Sequence, residues 1–137
     1  MVNNIHFSSA SDNWATPTGF KEKLPYDFDD YDPCPWNNPD NINGLDEEWA
    51  ECVFCNPPYS RLKTTKKSGL GWIEKGHIEA QKGKTIVMLI PARTDTIWFH
   101  DIILKNNYEV QFIKGRLKFN DGKHSAPFPS MLVIMKK

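Results

Sequence analysis

The sequence predicts a single α/β domain in which a mostly parallel sheet has an antiparallel C-terminal edge. Short apolar runs alternate with segments whose apolar residues recur every three or four positions, and the last two predicted strands have no helix between them. The length of 137 residues suits one domain, and five Trp and eight Phe can supply its core. We expect one domain over residues 1–137, with the polar residues 1–13 forming a flexible arm.

The N-terminal part of the chain is predicted to be its least regular part. Thr16-Pro17 has the pattern of an N-cap followed by proline at the first helical position, and Pro25 ends the short helix that follows. Residues 28–32 then predict a short strand. Residues 33–51 are rich in Pro, Asn and Asp and predict an ordered loop region.

The C-terminal part carries stronger patterns. Compact apolar runs predict buried strands, and apolar residues at wider spacing predict helices. The predicted strands are 52–55, 85–90, 108–113 and 130–135. The predicted helices are 70–82, ended by Gly83, and 94–104, capped by Thr94 or Asp95. Residues 60–69 are predicted to form a surface loop, and Asn120-Asp121-Gly122 a turn.

Charge is divided unevenly along the chain, although the net charge is zero. Residues 1–52 hold eleven acids and two bases, a net of −9, and residues 53–137 hold fifteen bases and six acids, a net of +9. Such asymmetry indicates a polyanion contacted from one side. The alternative, that the two halves neutralise each other in the fold, stays open on composition alone.

The three cysteines do not predict a metal site. Cys52 and Cys55 have the spacing of half a zinc site, but no second Cys pair or His pair follows at zinc spacing. We expect no metal and interpret both as small apolar side chains of a buried strand. The N-terminus lacks the apolar segment of a signal peptide, and the longest apolar run, residues 86–90, is too short to span a membrane.

The most informative motif is Asn56-Pro57-Pro58-Tyr59, directly after the predicted strand 52–55. Ligands in open α/β sheets bind at the carboxyl ends of strands. The two prolines fix the backbone and offer no N–H, so they stop the strand and leave the carbonyls of this segment free to face a ligand. The alternative is a rigid turn without a chemical role, because Asn-Pro is a common turn initiator.

Seven segments in a fixed order carry a resemblance to a known family: Asp12–Pro17, Tyr31–Cys34, Val53–Arg61, Leu89–Thr96, Trp98–His100, Gly115–Phe119 and Ser125–Ser130. Together they resemble the phage-type DNA N-6-adenine methyltransferases over nearly the whole chain. The resemblance implies a compact Rossmann-like sheet, S-adenosylmethionine as cofactor, and methyl transfer to the exocyclic N6 of adenine in DNA. Two alternatives remain: an RNA or protein-amide N-methyltransferase, or a non-catalytic nucleic-acid-binding protein with the same fold.

The predicted catalytic residues are Asn56, Pro57, Pro58 and Tyr59. The N6 lone pair of adenine is delocalised into the ring and is a poor nucleophile. The Asn56 side-chain oxygen and the Pro57 carbonyl can accept the two N6 hydrogens and free that lone pair, which needs positioning and electrostatics more than a general base. Tyr59 can stack on the extruded base.

The resemblance also implies a cofactor site, formed by Trp14, Ala15, Thr16, Pro17, Asp32, Pro33, Cys34, Asn43 and Asn56. Thr16-Pro17 is expected to touch the methionine part, Asp32 to hold the ammonium, and Asn43 to face the adenine. The chain departs from larger relatives because residues 33–36 contain no glycine-rich turn, and only residues 33–51 separate Asp32 from the catalytic strand. No counterpart of the usual ribose-binding acid is evident, so a shallow or open pocket is expected.

The basic half supplies the predicted DNA contacts, namely Arg61, Lys63, Arg93, Arg116 and Lys118. If these side chains surround the pocket, they bind phosphates and make DNA affinity depend on salt. Each of them taken singly also fits a solvated surface charge. By resemblance, the expected location is the cytoplasm of a bacterial host of a phage or prophage, without membrane contact.

Overall fold

The structure is a computed structural model that describes residues 14–122 and 124–137, so the predicted flexible arm at residues 1–13 lies outside the described residues. Its centre is a four-stranded sheet with the strand order β1-β2-β5-β3. The strands are β1 (Cys52–Cys55), β2 (Thr85–Pro91), β3 (Glu109–Phe112) and β5 (Ser130–Met135), and a two-residue strand β4 (His124–Ser125) lies outside this sheet. All four predicted strands of the C-terminal part are therefore present, close to their predicted bounds.

The sheet is mixed, so the prediction of a mostly parallel sheet is wrong. Among the strands of residues 14–122 and 124–137, only β1 and β2 pair in parallel, whereas β5 is antiparallel to both β2 and β3. The prediction of an antiparallel C-terminal edge is right only in part, because β5 lies inside the sheet and β3 forms the edge. Burial explains this order: all six residues of β5 are buried, whereas three of the four residues of β3 are exposed.

Helix α1 (Trp72–Gln81) packs on the sheet as predicted. Trp72, Ile73 and Ala80 are buried, and the helix contacts both β2 and β5. Gly76 allows the close approach, since a Cβ there would lie 2.9 Å from Cε of Met88. The helix ends at Gln81 with Lys82 as its C-cap, and the predicted glycine, Gly83, follows directly with a left-handed φ of 100°.

The same helix carries a buried ionic cluster that the sequence did not indicate. Glu79 is fully buried and accepts hydrogen bonds from Lys75 Nζ at 2.9 Å and from Lys84 Nζ at 2.7 Å. It also accepts the Trp49 N–H at 2.9 Å and Lys82 Nζ at 3.0 Å. Burial alone would raise the pKa of Glu79, but these hydrogen bonds outweigh it and lower the pKa to about 2. We call Glu79, Lys75, Lys82, Lys84 and Trp49 the Glu79 cluster.

Of the two elements predicted in the N-terminal part, the helix is reduced to one short turn before Pro25 and the strand does not form. Instead of a helix from Thr16-Pro17, a turn leads to a 3-10 helix at Lys21–Lys23, because Gly19 adopts a left-handed φ of 83° between them. Residues 28–32 do not form a strand. Asp29 donates its N–H to the Cys52 carbonyl at 2.9 Å, but its own carboxylate accepts the Cys52 N–H at 2.8 Å, so a side chain replaces the next backbone bond.

The predicted helix 94–104 is shorter and wider than expected. It is a π-helix at Phe99–Leu104, in which the Lys105 N–H bonds to the His100 carbonyl at 3.2 Å. Thr96, rather than Thr94 or Asp95, lies at its start, since its Oγ1 accepts the Phe99 N–H at 3.3 Å. In the part of the chain that the structure describes, no helix is long and apolar enough to cross a membrane.

The strand directions bring several loops to one end of the sheet. Because β2 and β3 are both antiparallel to β5, and β1 is parallel to β2, the strands β1, β2 and β3 point the same way. We call the end where these three strands finish and β5 begins the carboxyl edge. Segments 56–71, 92–98 and 113–129 all leave or enter the sheet there.

Candidate active site

A pocket of about 730 Å³ lies at the carboxyl edge, beside the end of β1. This volume is within the range of roughly 300–1,000 Å³ that is usual for small-molecule and cofactor sites. The lining residues come from distant parts of the chain: Trp14, Ala15, Thr16, Asp32, Cys34, Pro35, Trp36, Phe54, Asn56, Pro57, Pro58, Asn120 and Asp121. The pocket thus contains three of the four predicted catalytic residues and six of the nine predicted cofactor-binding residues.

Asn56 is held in one orientation at the wall of this pocket. Its Nδ2 donates to the Trp14 carbonyl at 2.6 Å and to the Thr16 hydroxyl at 3.0 Å, so both amide hydrogens are used. Its Oδ1 is buried and has no hydrogen-bond partner among residues 14–122 and 124–137. A buried acceptor without a donor is costly and calls for an explanation. Here the amide nitrogen is satisfied by the protein, and the amide oxygen remains able to accept from a ligand.

The segment that contacts Asn56 is itself held by the turn at Asn120. The Ala15 N–H donates to Asn120 Oδ1 at 3.0 Å, and the Asn120 N–H donates to the Ala15 carbonyl at 3.0 Å. One residue further along the turn, Asp121 Oδ1 accepts the Thr18 N–H at 2.9 Å. The N-terminal segment is thereby fixed to a turn about a hundred positions away in the chain.

Asp32 lies at the boundary between this pocket and a second hollow of about 480 Å³, which shares Thr16 and Phe54 with the first and includes Pro17. One Asp32 oxygen accepts the Cys34 N–H at 2.9 Å. Desolvation raises the pKa of Asp32, opposed by the Cys34 N–H and by the charge of Lys21. Asp32 is exposed and lines both hollows, so its carboxylate is accessible to a cationic ligand group.

Pro33 and Asn43 do not line the pocket. Pro33 is buried behind it, packed so closely on Gly44 that a Cβ at Gly44 would lie 2.2 Å from the Pro33 carbonyl oxygen. Gly44 in turn accepts the Trp49 indole N–H at 2.7 Å, which links this wall to the Glu79 cluster. Asn43 is exposed, and its Nδ2 donates to Asp46 at 2.6 Å. Its predicted contact with the cofactor adenine has no support in this position.

Tyr59 is also outside the pocket. Its ring is 4% exposed and packs edge-on against Phe128, with 5.6 Å between the ring centroids. Its hydroxyl donates to the Leu89 carbonyl at 3.2 Å, and burial raises its pKa. Stacking of this ring on a base stays a prediction that requires the side chain to leave its packed position.

Five pocket residues were not predicted: Pro35, Trp36, Phe54, Asn120 and Asp121. Trp36 is 58% exposed, and an exposed Trp at a pocket rim is a surface on which a flat ring can stack. Its place in a Pro- and Asn-rich loop was a usable signal. For Asn120 and Asp121 the sequence indicated the turn, but no local pattern indicated that this turn contacts residues 15 and 18.

The five predicted DNA contacts, Arg61, Lys63, Arg93, Arg116 and Lys118, all lie on segments of the carboxyl edge and are all exposed. None forms a salt bridge within the described residues; Arg61 donates to the Ser68 carbonyl at 3.3 Å. Among the described residues, the ion pairs that join the two halves of the chain instead involve Glu48, at 3.5 Å from Lys82 and 3.6 Å from Lys84. These two lysines lie closer to Glu79 of their own half, at 3.0 and 2.7 Å, so ion pairing between the halves is weak and includes none of the five bases at the carboxyl edge.

The two cysteines of the C-x-x-C pair belong to β1 as predicted, although Cys52 is only half-buried. Cys55 is fully buried, and burial raises the pKa of its thiol. Within the described ranges, no group of three or more His, Cys, Asp or Glu side chains is arranged to hold a metal ion.

Comparison with protein families gives one clear result. The family model described as DNA N-6-adenine-methyltransferase (Dam) matches residues 5–137. Neither the comparison with curated proteins nor the comparison with solved structures gave a match. The matched range contains every residue that lines the pocket and all five exposed bases of the carboxyl edge. The chain therefore belongs to the DNA N-6-adenine-methyltransferase (Dam) family and is an adenine-specific DNA methyltransferase.

Proposed function

We propose that the pocket beside Asn56 is where this enzyme transfers a methyl group from S-adenosylmethionine to N6 of an adenine that has left the DNA helix. One observation carries the assignment. Both amide hydrogens of Asn56 are donated to protein acceptors, whereas its buried Oδ1 has no donor among the described residues. The exocyclic amine of adenine is a donor that can satisfy such an oxygen.

Asn56 acts on the nucleophile in this proposal. Its Oδ1 accepts one N6 hydrogen, and the Pro57 carbonyl, on the same pocket wall, accepts the other. Two acceptors draw the amine towards tetrahedral geometry and release its lone pair. Because both hydrogen bonds strengthen as positive charge develops on N6, they stabilise the transition state more than the bound substrate.

The other pocket wall fits the proposed cofactor. Asp32 is a carboxylate suited to the ammonium of the methionine part, and Trp14, Ala15 and Thr16 form the adjoining surface. Pro17 and Asp32 continue this surface into the second hollow. When bound, S-adenosylmethionine would supply a methyl group on an electrophilic sulfonium and would leave as the neutral thioether. The methylated amine, then positively charged and acidic, would release one N6 proton to solvent, so the chain need not provide a strong base. The parallel pair β1 and β2, with the pocket at their carboxyl ends, supports a reduced Rossmann-like sheet.

DNA is proposed to lie across the carboxyl edge. Arg61, Lys63, Arg93, Arg116 and Lys118 are exposed there and contact phosphates on either side of the extruded adenine. The resemblance to phage-type enzymes supports action in the cytoplasm of a bacterial host, where phage and host DNA are found.

The test is transfer of tritium from labelled S-adenosylmethionine to DNA, RNA and protein offered separately. We expect label in DNA, recovered as N6-methyladenine after digestion. Asn56→Ala should lose nearly all transfer while cofactor affinity stays within about tenfold, because its contact matters in the transition state. Asn106→Ala, an exposed asparagine at the opposite end of the sheet, is the matched control and should behave as wild type.

Label that enters RNA or protein instead of DNA would support the corresponding alternative. An Asn56→Ala variant with more than half of wild-type turnover would refute the role given to Asn56. Binding of DNA without transfer to any of the three substrates would favour the non-catalytic alternative.

A further inference from the structure

We propose that Asn120 is a positioning residue, which sets the orientation of the Asn56 side chain for catalysis. The inference rests on the proposed function of Asn56. Asn120 is connected to Asn56 through the short segment Trp14–Thr16, and three observations support the connection.

The first observation is the continuity of the hydrogen bonds. Asn120 is joined to Ala15 by a reciprocal pair of bonds, one to the Asn120 side chain and one to its backbone, both 3.0 Å long. The neighbours of Ala15 on each side, Trp14 and Thr16, provide the two acceptors for the Asn56 amide hydrogens. A shift at Ala15 therefore moves both acceptors of Asn56 together.

The second observation is the backbone conformation of the turn. Asn120 and Asp121 both have a φ of 56°, in the left-handed region that residues other than glycine rarely enter. Asn and Asp tolerate this region better than other side chains, yet two in succession still cost free energy. The side chains of these same two residues accept the hydrogen bonds from Ala15 and Thr18, and these bonds offset the free-energy cost of the left-handed backbone.

The third observation is that the turn has a fixed base. Phe119, directly before Asn120, is fully buried. The chain on the two sides of the turn pairs as a hairpin, in which the Ala126 N–H donates to the Leu117 carbonyl at 2.9 Å. The Phe119 ring also packs edge-on against Trp14, with 5.6 Å between centroids. The turn is thus anchored in the core and can hold the N-terminal segment in place.

The consequence for catalysis follows from the different hydrogen-bonding roles of the Asn56 amide nitrogen, which donates, and the amide oxygen, which accepts. While Trp14 and Thr16 hold its nitrogen, only its oxygen is available to the target amine. If those acceptors shift, the amide can rotate and present its NH₂ group, which repels the N6 hydrogens because both groups are donors. The expected loss is therefore in the chemical step, with little change in cofactor affinity.

The experiment compares Asn120→Gly with Asn120→Asp. Glycine accepts the left-handed backbone without strain but lacks the acceptor for the Ala15 N–H, whereas aspartate keeps that acceptor. We expect Asn120→Gly to lower kcat about 10- to 100-fold, the scale of a small misplacement of reacting groups, with the KM for cofactor within about threefold. Asn120→Asp should restore most of kcat.

The chain offers a matched control in Asn107, an exposed asparagine that also has a φ of 56° but lies at the opposite end of the sheet. Asn107→Gly makes the same chemical change in the same backbone conformation and should leave kcat unchanged. Should Asn120→Gly fail to fold, Asn120→Ser, which keeps a shorter polar side chain, is measured in its place, with the same loss of kcat expected.

A second measurement does not depend on activity. The side-chain NH₂ signals of Asn56 in an NMR spectrum, assigned by their loss in Asn56→Asp, report whether both hydrogens are bonded. They should shift in Asn120→Gly and keep their positions in Asn120→Asp and Asn107→Gly. Unchanged signals together with unchanged kcat in Asn120→Gly would overturn the proposal, and so would a loss of kcat that Asn120→Asp does not restore.

Failure of the proposed function looks different. If the wild-type protein transfers no methyl group to DNA, the NMR comparison still decides whether Asn120 orients the Asn56 side chain. Shifted signals in Asn120→Gly would then support the positioning contact, and unchanged signals would overturn it.

Discussion

Replacing Glu79 by glutamine should destabilise the fold strongly, because two lysines of the Glu79 cluster are almost completely buried. Lys75 and Lys84 are only 7% and 4% exposed, and both bond to the Glu79 carboxylate. The substitution removes the negative charge and turns one carboxylate oxygen into an NH₂ group that faces an ammonium. Removing one partner of a buried ion pair costs about 3–5 kcal/mol. This is a large share of the roughly 5–15 kcal/mol by which domains of this kind are stable.

Urea unfolding at pH 7, followed by Trp fluorescence and circular dichroism, gives the free energy of unfolding for the wild type and the variant. The matched control is Glu48→Gln, since the Glu48 side chain is 73% exposed at distances of 3.5 and 3.6 Å from Lys82 and Lys84. An exposed pair of this kind contributes about 0–1 kcal/mol. A Glu79→Gln variant that is no less stable than Glu48→Gln would refute this account of the cluster.

The same cluster predicts a dependence of stability on pH. The pKa of Glu79 is lowered in the folded protein from the usual 4.5 to about 2. A carboxyl with a depressed folded-state pKa stabilises the fold above its unfolded pKa and loses that contribution as the pH falls through its folded pKa. The stability difference between the wild type and Glu79→Gln should therefore be full above about pH 4.5 and should shrink between 4.5 and 2.

Three further predictions concern the site. Asp32→Ala should weaken cofactor binding about 10- to 100-fold in calorimetry, the equivalent of a charge-assisted contact, and leave DNA affinity nearly unchanged; unchanged cofactor affinity would make Asp32 a solvated loop acid. A triple variant should reduce the slope of log affinity for DNA against log salt by about three when the residues replaced by alanine are Arg61, Arg93 and Arg116. A control variant removes equal charge at the opposite end of the sheet and should leave this slope unchanged; it replaces Lys105, Lys136 and Lys137 by alanine. Tyr59→Phe keeps the ring that is proposed to stack on the base and should retain most turnover, whereas Tyr59→Ala should not; equal turnover in both variants would exclude stacking.

Much of the sheet could be predicted because its two central strands, β2 and β5, are almost entirely apolar. Residues 85–90 and 130–135 are buried at nearly every position, and such runs indicate strands wherever they pair. Their order could not be predicted in the same way. Insertion of the last strand between β2 and β3 is a choice among long-range pairings, decided by which strand must be covered on both sides.

In the candidate site too, the features encoded by local sequence could be predicted, and those that depend on long-range packing could not. Asn56-Pro57-Pro58 was found because its spacing after a buried strand is local information, and the structure brings it to a pocket with Thr16 and Asp32. The missing strand at residues 28–32 depended on one side chain, Asp29, which takes the place of a backbone acceptor. The contact between Asn120 and Ala15 depends on how the hairpin and the N-terminal segment pack, and no short pattern encodes that.

The bond between Asn56 and Pro57 has a consequence for how the enzyme ages. Asparagine side chains deamidate mainly when the backbone nitrogen of the next residue attacks the side-chain carbonyl, and proline has no N–H with which to do so. The amide on which catalysis is proposed to depend is thereby protected from slow conversion to a carboxylate, which could not donate to Trp14 and Thr16. Asn43 is exposed and precedes a glycine, so spontaneous damage should appear first at a position away from the pocket.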